Sequence, residues 1–256
     1  MPIHVIIKNK IIYYQWGNHG KFYRNRKDAE LQGAAAYANG YTGKNGYGKR
    51  TRKQPLQNKY YLTRTKYPSN HPQPIKLIEY PELRQTFNYD CGATSFQQML
   101  VYYGYEIRED KLIKLLGTVS TNIEEHGTDV NAIIKVAKKF GLTVNAKPDM
   151  IIDDLHSLID KDIPVILLGQ AWRDSDKTDW KTDFKDGHYF TAIGYNDEFI
   201  FFEDPSSFVR TYLLNQELMD RWHDVSDDGK SVVNQLGIYI PDGKPVFKAN
   251  QFIKMD

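Results

Sequence analysis

Residues 85–100, which read QTFNYDCGATSFQQML, constrain the fold of this chain more than any other stretch. The stretch contains Cys91, the only cysteine among the 256 residues. After Gly92, apolar side chains recur at steps of three and four residues, namely Ala93, Phe96, Leu100 and Tyr103. This period predicts an amphipathic helix with Cys91 in its first turn. We therefore expect a core helix that carries a thiol at its N-terminus.

A thiol in that position has a chemical consequence. Unpaired backbone N–H groups and the positive end of the helix dipole favour thiolate over thiol. Gln85 lies upstream of Cys91, where its side-chain amide can join the N–H of Cys91 in binding an oxyanion. A lone cysteine is also a common small hydrophobe of protein cores. Taken alone, Cys91 leaves a catalytic and a structural role open.

The composition excludes several classes of protein. A single cysteine rules out a disulfide framework and a zinc cluster of several thiolates, and we expect no metal and no cofactor. No stretch approaches the roughly 20 apolar residues of a membrane-spanning helix. The N-terminus MPIHVIIKNK lacks the apolar run of a secretory signal. These features predict a cytoplasmic protein without membrane insertion.

The charge is distributed unevenly along the chain. Residues 1–75 contain 14 Lys and Arg against two Asp and Glu, whereas residues 76–256 contain 20 against 30. Such asymmetry is typical of a basic arm attached to an acidic or neutral domain. It predicts a domain boundary near residue 75.

The basic part divides in two. Residues 3–17 contain two β-branched and aromatic runs around Lys8-Asn9-Lys10, which predicts a hairpin, and residues 26–39 favour a helix. Residues 1–40 are therefore expected to form a small ββα module. Residues 41–75 mix glycine, proline and basic residues with tyrosines, which predicts a basic linker. It is either a solvated connector or a contact surface for nucleic acid or another acidic partner.

The third region, 76–256, is expected to form the main domain. Helices are predicted over Glu109–Leu116, Asp129–Phe140 with Thr128 as N-cap, Asp153–Ile159 and Leu213–Trp222. Strands are predicted over 142–146, 163–169, 188–195, 198–204 and 235–241. Helices followed by antiparallel strands favour an α+β fold in which the helix of Cys91 packs on a sheet. The long polar loop between residues 169 and 188 contains Trp172 and Trp180, which either line a substrate cleft or pin the loop to the surface.

His188 and Asp204 are the best candidates to assist a nucleophile. His188 opens a predicted strand after Gly187, and Asp204 ends the following strand before Pro205. A hairpin that turns at residues 196–197 brings these outer ends side by side and pairs His188 with a residue near 204 or 205. A thiolate nucleophile needs such a proton shuttle and a third group that orients it. Taken singly, a histidine such as His188 is more often an ordinary strand residue, and Asp204-Pro205 is more often an ordinary turn.

The segment RQTFNYDCGATSFQQMLVYYGY resembles the nucleophile region of the C39 family of papain-like cysteine peptidases. Later segments agree in the family's order: GTDVNAIIKVAKKFGL, DLHSLIDKDIPVILL, GHYFTAIGY, EDPSS and ELMDRW. The similarity covers about residues 80–224. It implies a papain-like fold, with a helical subdomain packed on an antiparallel sheet.

The resemblance also implies roles for four residues. Cys91 would be the nucleophile, His188 the general acid and base, Asp204 the group that orients His188, and Gln85 an oxyanion donor. The implied function is hydrolysis of peptide bonds in a peptide or protein substrate, after glycine in typical family members. The same apparatus would serve a deconjugase or an amidase. The alternative is a non-catalytic scaffold, such as a structural protein of a phage or mobile element, that works through its basic arm.

Overall fold

The structure is a computed structural model. It describes residues 3–8, 11–16, 22–24, 27, 71–87, 89–120, 125–172, 179–225, 231–252 and 254. The chain divides into two compact units, residues 1–69 and 70–256. In the described ranges, no helix combines the length and apolar character needed to cross a bilayer.

The first unit contains an antiparallel sheet of three strands. These are β1 (Ile3–Lys8), β2 (Ile11–Trp16) and β3 (Phe22–Tyr23). Lys8 pairs with Ile11, which confirms the hairpin predicted over residues 3–17. Apart from Lys27, the predicted helix over 26–39 lies outside the described residues, as does most of the predicted linker over 41–75. The ββα module and its boundaries stay predictions.

Five described helices belong to the second unit. They are α1 (Cys91–Tyr102), α2 (Glu109–Leu116), α3 (Val130–Lys139), α4 (Ile152–Ile159) and α5 (Asn215–Arg221). The helix predicted from the apolar spacing after Gly92 is confirmed, and α1 is buried along most of its length. Helices α2 and α3 end before Gly117 and Gly141, whose positive φ angles of 70° and 73° suit glycine at a helix C-terminus.

The main sheet of the second unit has seven described strands. Its strands are β4 (Lys76–Leu77), β7 (Asn145–Lys147), β8 (Val165–Gln170), β9 (Gly187–Tyr195), β10 (Phe199–Glu203), β11 (Thr211–Leu214) and β14 (Gly237–Tyr239). They run in the order β11-β10-β9-β8-β14-β7, and β4 pairs with β9. The described pairings are antiparallel, and α1 and α4 pack on β9. The predicted α+β class, with helices on an antiparallel sheet, is confirmed.

Two short pairs complete the second unit. Strands β5 (Val119–Ser120) and β6 (Glu125–His126) form one, and β12 (His223–Val225) and β13 (Val232–Asn234) form the other.

Two predicted helix starts were wrong. Helix α3 is capped by Asp129 rather than Thr128, because the Asp129 carboxylate accepts a hydrogen bond of 2.6 Å from the N–H of Asn131. Thr128 is instead buried, and its hydroxyl contacts that of Thr118 at 2.9 Å. The helix predicted from Leu213 begins at Asn215, since residues 211–214 extend the sheet as β11.

The register of the hairpin formed by β9 and β10 also differs from the prediction. The turn spans residues 196–198 and is held by Asn196, whose side-chain oxygen accepts from the N–H groups of Glu198 and Phe199 at 3.0 and 2.8 Å. The ladder shifts register between Phe201 and Phe202 and ends with Glu203 opposite Thr191. Asp204 therefore continues the strand opposite residue 190, two positions from His188. Residues two apart on a strand share a face, so a diagonal contact remains open to Asp204 and His188.

Candidate active site

Cys91 is the first residue of α1 and lies in the core next to the sheet. Its side chain is 8% exposed, and its sulfur is free. The preceding residue, Asp90, occupies the N-cap position of the helix. The sulfur therefore lies at the N-terminal end of α1, where the backbone N–H groups have no partner within the helix and the helix dipole is positive.

Gly92 allows the start of α1 to approach β9 closely. A Cβ atom at this position would lie 2.6 Å from Cβ of Thr128 and 2.8 Å from the ring of Tyr189. These distances are too short for any side chain. The Tyr189 hydroxyl also donates to the carbonyl oxygen of Thr128 at 2.8 Å. Tyr189 directly follows His188 on β9. The close approach of Gly92 to Tyr189 therefore places the start of α1 beside the strand that contains the candidate general base.

His188 and Asp204 form a buried pair. Nε2 of His188 lies 2.9 Å from Oδ1 of Asp204, and both side chains are almost fully buried. The hydroxyl of Ser206 lies 3.1 Å from the same Nε2 atom. With Nε2 engaged in this way, Nδ1 is the ring nitrogen left for the thiol. This is the arrangement that a histidine needs to exchange a proton with a nucleophile on one side while a carboxylate fixes it on the other.

The pKa values of this pair favour its charged form. Burial is the largest influence on His188 and lowers its pKa, but the Asp204 charge and the charge and hydrogen bond of Cys91 outweigh burial and raise the pKa to about 10. Burial raises the pKa of Asp204, yet the charge and hydrogen bond of His188 and the donors of Ser206 bring it below its ordinary value. A positively charged imidazolium of His188 beside a negatively charged carboxylate of Asp204 is therefore the favoured state near neutral pH.

Asp204 accepts hydrogen bonds on both of its oxygens. Oδ1 accepts from His188 and from the N–H and hydroxyl of Ser206, each at 2.9 Å. Oδ2 accepts from the indole N–H of Trp172 at 3.0 Å. Ser206 was missed in the sequence, although an Asp whose side chain accepts from the N–H two residues later is a common turn, and EDPSS contains that spacing.

Gln85 is held next to the residue that follows Asp204. Its backbone N–H donates to the carbonyl oxygen of Pro205 at 3.0 Å, and its Nε2 atom donates to the carbonyl oxygen of Phe87 at 2.6 Å. The neighbouring Arg84 forms a hydrogen-bonded ion pair with the fully buried carboxylate of Glu203. Two adjacent residues before the nucleophile are thus tied to the residues on either side of Asp204. The oxyanion role of Gln85 stays a prediction.

A second carboxyl group lies beside the nucleophile. The carboxylate of Asp90 is buried and accepts from the N–H of Phe87 at 3.1 Å. Glu109, at the start of α2, accepts from the Thr94 hydroxyl at 2.9 Å. Burial, and then the charge of Glu109, raise the pKa of Asp90 to about 7. The charge next to Cys91 therefore changes around neutral pH.

The structure places the two loop tryptophans on different partners. Trp172 donates to Asp204, whereas the ring of Trp180 lies 3.8 Å below the guanidinium of Arg221 on α5. The sequence left two roles open for Trp180, which were to line a substrate cleft or to hold the loop on the protein surface. This cation–π contact favours the second role. A substrate-binding role for either tryptophan stays a prediction. In the part of the chain that the structure describes, no cluster of three or more His, Cys, Asp or Glu side chains is arranged to hold a metal ion.

Known proteins resemble this chain in sequence and in fold. The sequence model of the Peptidase_C39 like family matches residues 77–247, which is about two thirds of the chain. No curated protein sequence matches the chain.

The solved structures that are similar to this one include the following three. A protein described as a C39-like peptidase from Bacillus anthracis is 19% identical, with a TM-score of 0.51 over 64% of this chain and 96% of its own. The peptidase domain of Streptococcus ComA, a bifunctional ABC transporter, is 20% identical, with a TM-score of 0.43 over 65% and 98%. A double glycine motif protease from an AMS/PCAT transporter, solved with the leader peptide, is 15% identical, with a TM-score of 0.42 over 67% and 99%. The first of these supports the fold.

Proposed function

Because the chain belongs to the Peptidase_C39 like family, we propose that it is a cysteine peptidase with Cys91 as nucleophile, His188 as general acid and base, and Asp204 as the residue that orients His188. The observation that supports this proposal most strongly is the buried hydrogen bond of 2.9 Å between His188 and Asp204. Because that bond uses Nε2, it leaves Nδ1 for Cys91, whose charge is one cause of the raised pKa of His188. A scaffold without chemistry has no need of a buried, charged histidine beside a thiol.

The first half of the proposed reaction forms an acyl-enzyme. The Cys91 thiolate attacks the carbonyl carbon of the scissile bond, so that a C–S bond forms and the carbonyl π electrons move to oxygen. The N–H of Cys91 and the side-chain amide of Gln85 bind this oxyanion. The imidazolium of His188 then donates its Nδ1 proton to the leaving nitrogen, the C–N bond breaks, and the amine product departs.

The second half releases the acyl group. Neutral His188 accepts a proton from water, and the resulting hydroxide attacks the thioester carbonyl. Collapse of this second tetrahedral intermediate breaks the C–S bond and restores the thiolate and imidazolium. Throughout the cycle Asp204 stays ionised and holds the ring, because its lowered pKa opposes protonation.

The substrate we propose is a peptide cut after glycine or another small residue, and we place the reaction in the cytoplasm, where a lone thiol stays reduced. A short peptide that ends in Gly-Gly linked to aminomethylcoumarin tests this. We expect the wild type to release the fluorophore, and Cys91→Ala and His188→Ala to lower the rate at least about a thousandfold. His156→Gln is the matched control, because His156 stacks on Tyr195 away from the site.

Two results would contradict the proposed function. If the wild type cleaves no peptide amide and Cys91 reacts with iodoacetamide no faster than free cysteine, the proposed function is wrong. If Cys91→Ala cleaves as well as the wild type, the activity does not come from this site.

A further inference from the structure

Trp172 occupies an unusual place for a large side chain. It lies just beyond the end of β8, and its φ angle of 62° is in the left-handed region, which bulky residues rarely adopt. A strained backbone is kept only where the surroundings hold it, and such residues cluster at functional sites. The indole N–H of Trp172 donates to Oδ2 of Asp204 at 3.0 Å.

The residues before Trp172 are anchored to the sheet. The N–H of Ala171 donates to the carbonyl oxygen of Asp186 at 2.8 Å, and the N–H of Asp186 donates to the side-chain oxygen of Gln170 at 2.9 Å. Gln170 is itself buried, and its Nε2 atom donates to the carbonyl oxygen of His223 at 3.0 Å. The position of the indole is therefore set by the ends of β8 and β9.

The donors on Asp204 are divided between its two oxygens. His188 and Ser206 contact Oδ1, and Trp172 contacts Oδ2. Without a donor on Oδ2, the carboxylate plane is free to rotate about the bond to Cβ, and the hydrogen bond to His188 loses its alignment. We propose that Trp172 is a positioning residue of the catalytic site, which acts through Asp204 to fix the His188 ring towards Cys91. The inference rests on the proposed function and extends it by one residue.

This role differs from substrate contact. A tryptophan that only lines a substrate cleft acts on peptide binding and leaves the state of the thiol unchanged. A tryptophan that positions Asp204 acts on the imidazolium and, through it, on the thiolate that the imidazolium stabilises. The two roles are separated by the reactivity of Cys91 in the absence of any peptide.

The experiment is alkylation of the full chain by iodoacetamide between pH 5 and 9. Because Cys91 is the only cysteine, the rate reports on this thiol alone. The wild type is expected to stay reactive at pH 6, whereas Trp172→Phe lowers the rate at pH 6 by about tenfold, the effect of losing one hydrogen bond to a charged group. The dependence of the alkylation rate on pH is expected to move towards that of free cysteine in Trp172→Phe. We expect Asp204→Asn to move this pH profile further in the same direction.

Two further variants separate positioning from stability. Trp222→Phe is the matched control, because the indole of Trp222 donates to the carbonyl oxygen of Leu236 in the core, and its profile is expected to follow the wild type. Trp172→Gly relieves the left-handed backbone, so it is expected to remain folded and to show the same altered profile as Trp172→Phe.

The outcomes distinguish the two proposals. A reactive wild-type thiol whose profile is unchanged in Trp172→Phe and Trp172→Gly overturns the role of Trp172 alone. If these variants raise KM for the Gly-Gly substrate while kcat and the alkylation profile are unchanged, Trp172 contacts substrate instead. A wild-type profile equal to that of free cysteine overturns the proposed function and the role of Trp172 together.

Discussion

The backbone N–H of Gln85 donates to the carbonyl oxygen of Pro205 at 3.0 Å. Pro205 directly follows Asp204, and Gln85 begins the stretch that leads into the nucleophile helix. This bond therefore joins the two parts of the chain that supply the proposed oxyanion donor and the proposed orienting carboxylate. The ion pair of Arg84 and Glu203 lies beside it and fixes the same junction.

Arg84→Met is expected to loosen this junction. Glu203 is fully buried, and its charge is compensated by the guanidinium groups of Arg84 and of Arg210, whose Nε atom lies 3.3 Å away. Losing one partner of a buried carboxylate is expected to lower the free energy of unfolding by about 2 kcal/mol, which urea denaturation measures. Arg108→Met is the matched control. It removes a pair with Asp110 whose side chains are 77% and 54% exposed, so the loss should stay below about 0.5 kcal/mol. Equal stability of the two variants would show that the buried pair does not hold the junction.

Gly92→Ala is expected to push α1 away from β9. The added methyl group would lie 2.6 Å from Thr128 and 2.8 Å from Tyr189, both of which are buried. Overpacking of this kind costs about 2 kcal/mol, and the shift of Cys91 should also slow its alkylation at pH 6. The control is Gly127→Ala, because a methyl group there meets nothing within 4 Å and should change stability by less than about 0.5 kcal/mol. An unaltered alkylation rate in Gly92→Ala would contradict the close approach.

Asp90→Asn is expected to reduce the loss of stability that the protein undergoes as the pH rises through about 7. The folded-state pKa of Asp90 is about 7, above its ordinary value of 3.8. A raised folded-state pKa contributes stability that is present below the ordinary value and is lost as the pH rises through about 7. Since the variant does not ionise there, its melting temperature relative to the wild type should rise between pH 4 and pH 8.

Glu109→Gln tests the cause of that pKa shift. After burial, the charge of Glu109 is the next largest reason for the raised pKa of Asp90. Removing this charge is expected to weaken the pH dependence of the wild-type melting temperature without abolishing it, because the burial of Asp90 remains.

The outcome that would contradict both predictions is a melting temperature difference between Asp90→Asn and wild type that stays constant from pH 4 to pH 8. It would mean that Asp90 does not titrate in this range.

Local patterns were sufficient to predict the main elements of the second unit. The spacing of Ala93, Phe96 and Leu100 predicts α1, and Gly117 and Gly141 mark where α2 and α3 end. The apolar runs of β8, β9 and β10 identify the centre of the sheet, because strands that are buried on both faces contain few polar residues. Each of these features depends on residues close together in sequence.

The partners of the site were harder to predict because they depend on tertiary contacts. Trp172 reaches Asp204 across 32 residues, and Arg84 reaches Glu203 across 119. The short-range spacing of apolar residues does not indicate contacts between residues so far apart in the sequence. The predicted contact of His188 with Asp204 is present, although the register argument behind it was wrong by about two residues, because the three-residue turn and the shifted ladder were not visible in the sequence. Strand β11 was missed because its alternation, with Tyr212 and Leu214 exposed, runs directly into a helix.

The proposed proton exchange between Cys91 and His188 is tested most directly by NMR titration of the isotope-labelled His188 ring, assigned by comparison with His188→Asn. We expect the ring to stay protonated through neutral pH and to titrate near pH 10 in the wild type. In Cys91→Ala the titration should move to lower pH, because the charge and hydrogen bond of Cys91 help to raise the pKa of His188. A His188 ring that titrates near the ordinary value of 6.5 in both proteins would contradict the thiolate–imidazolium pair.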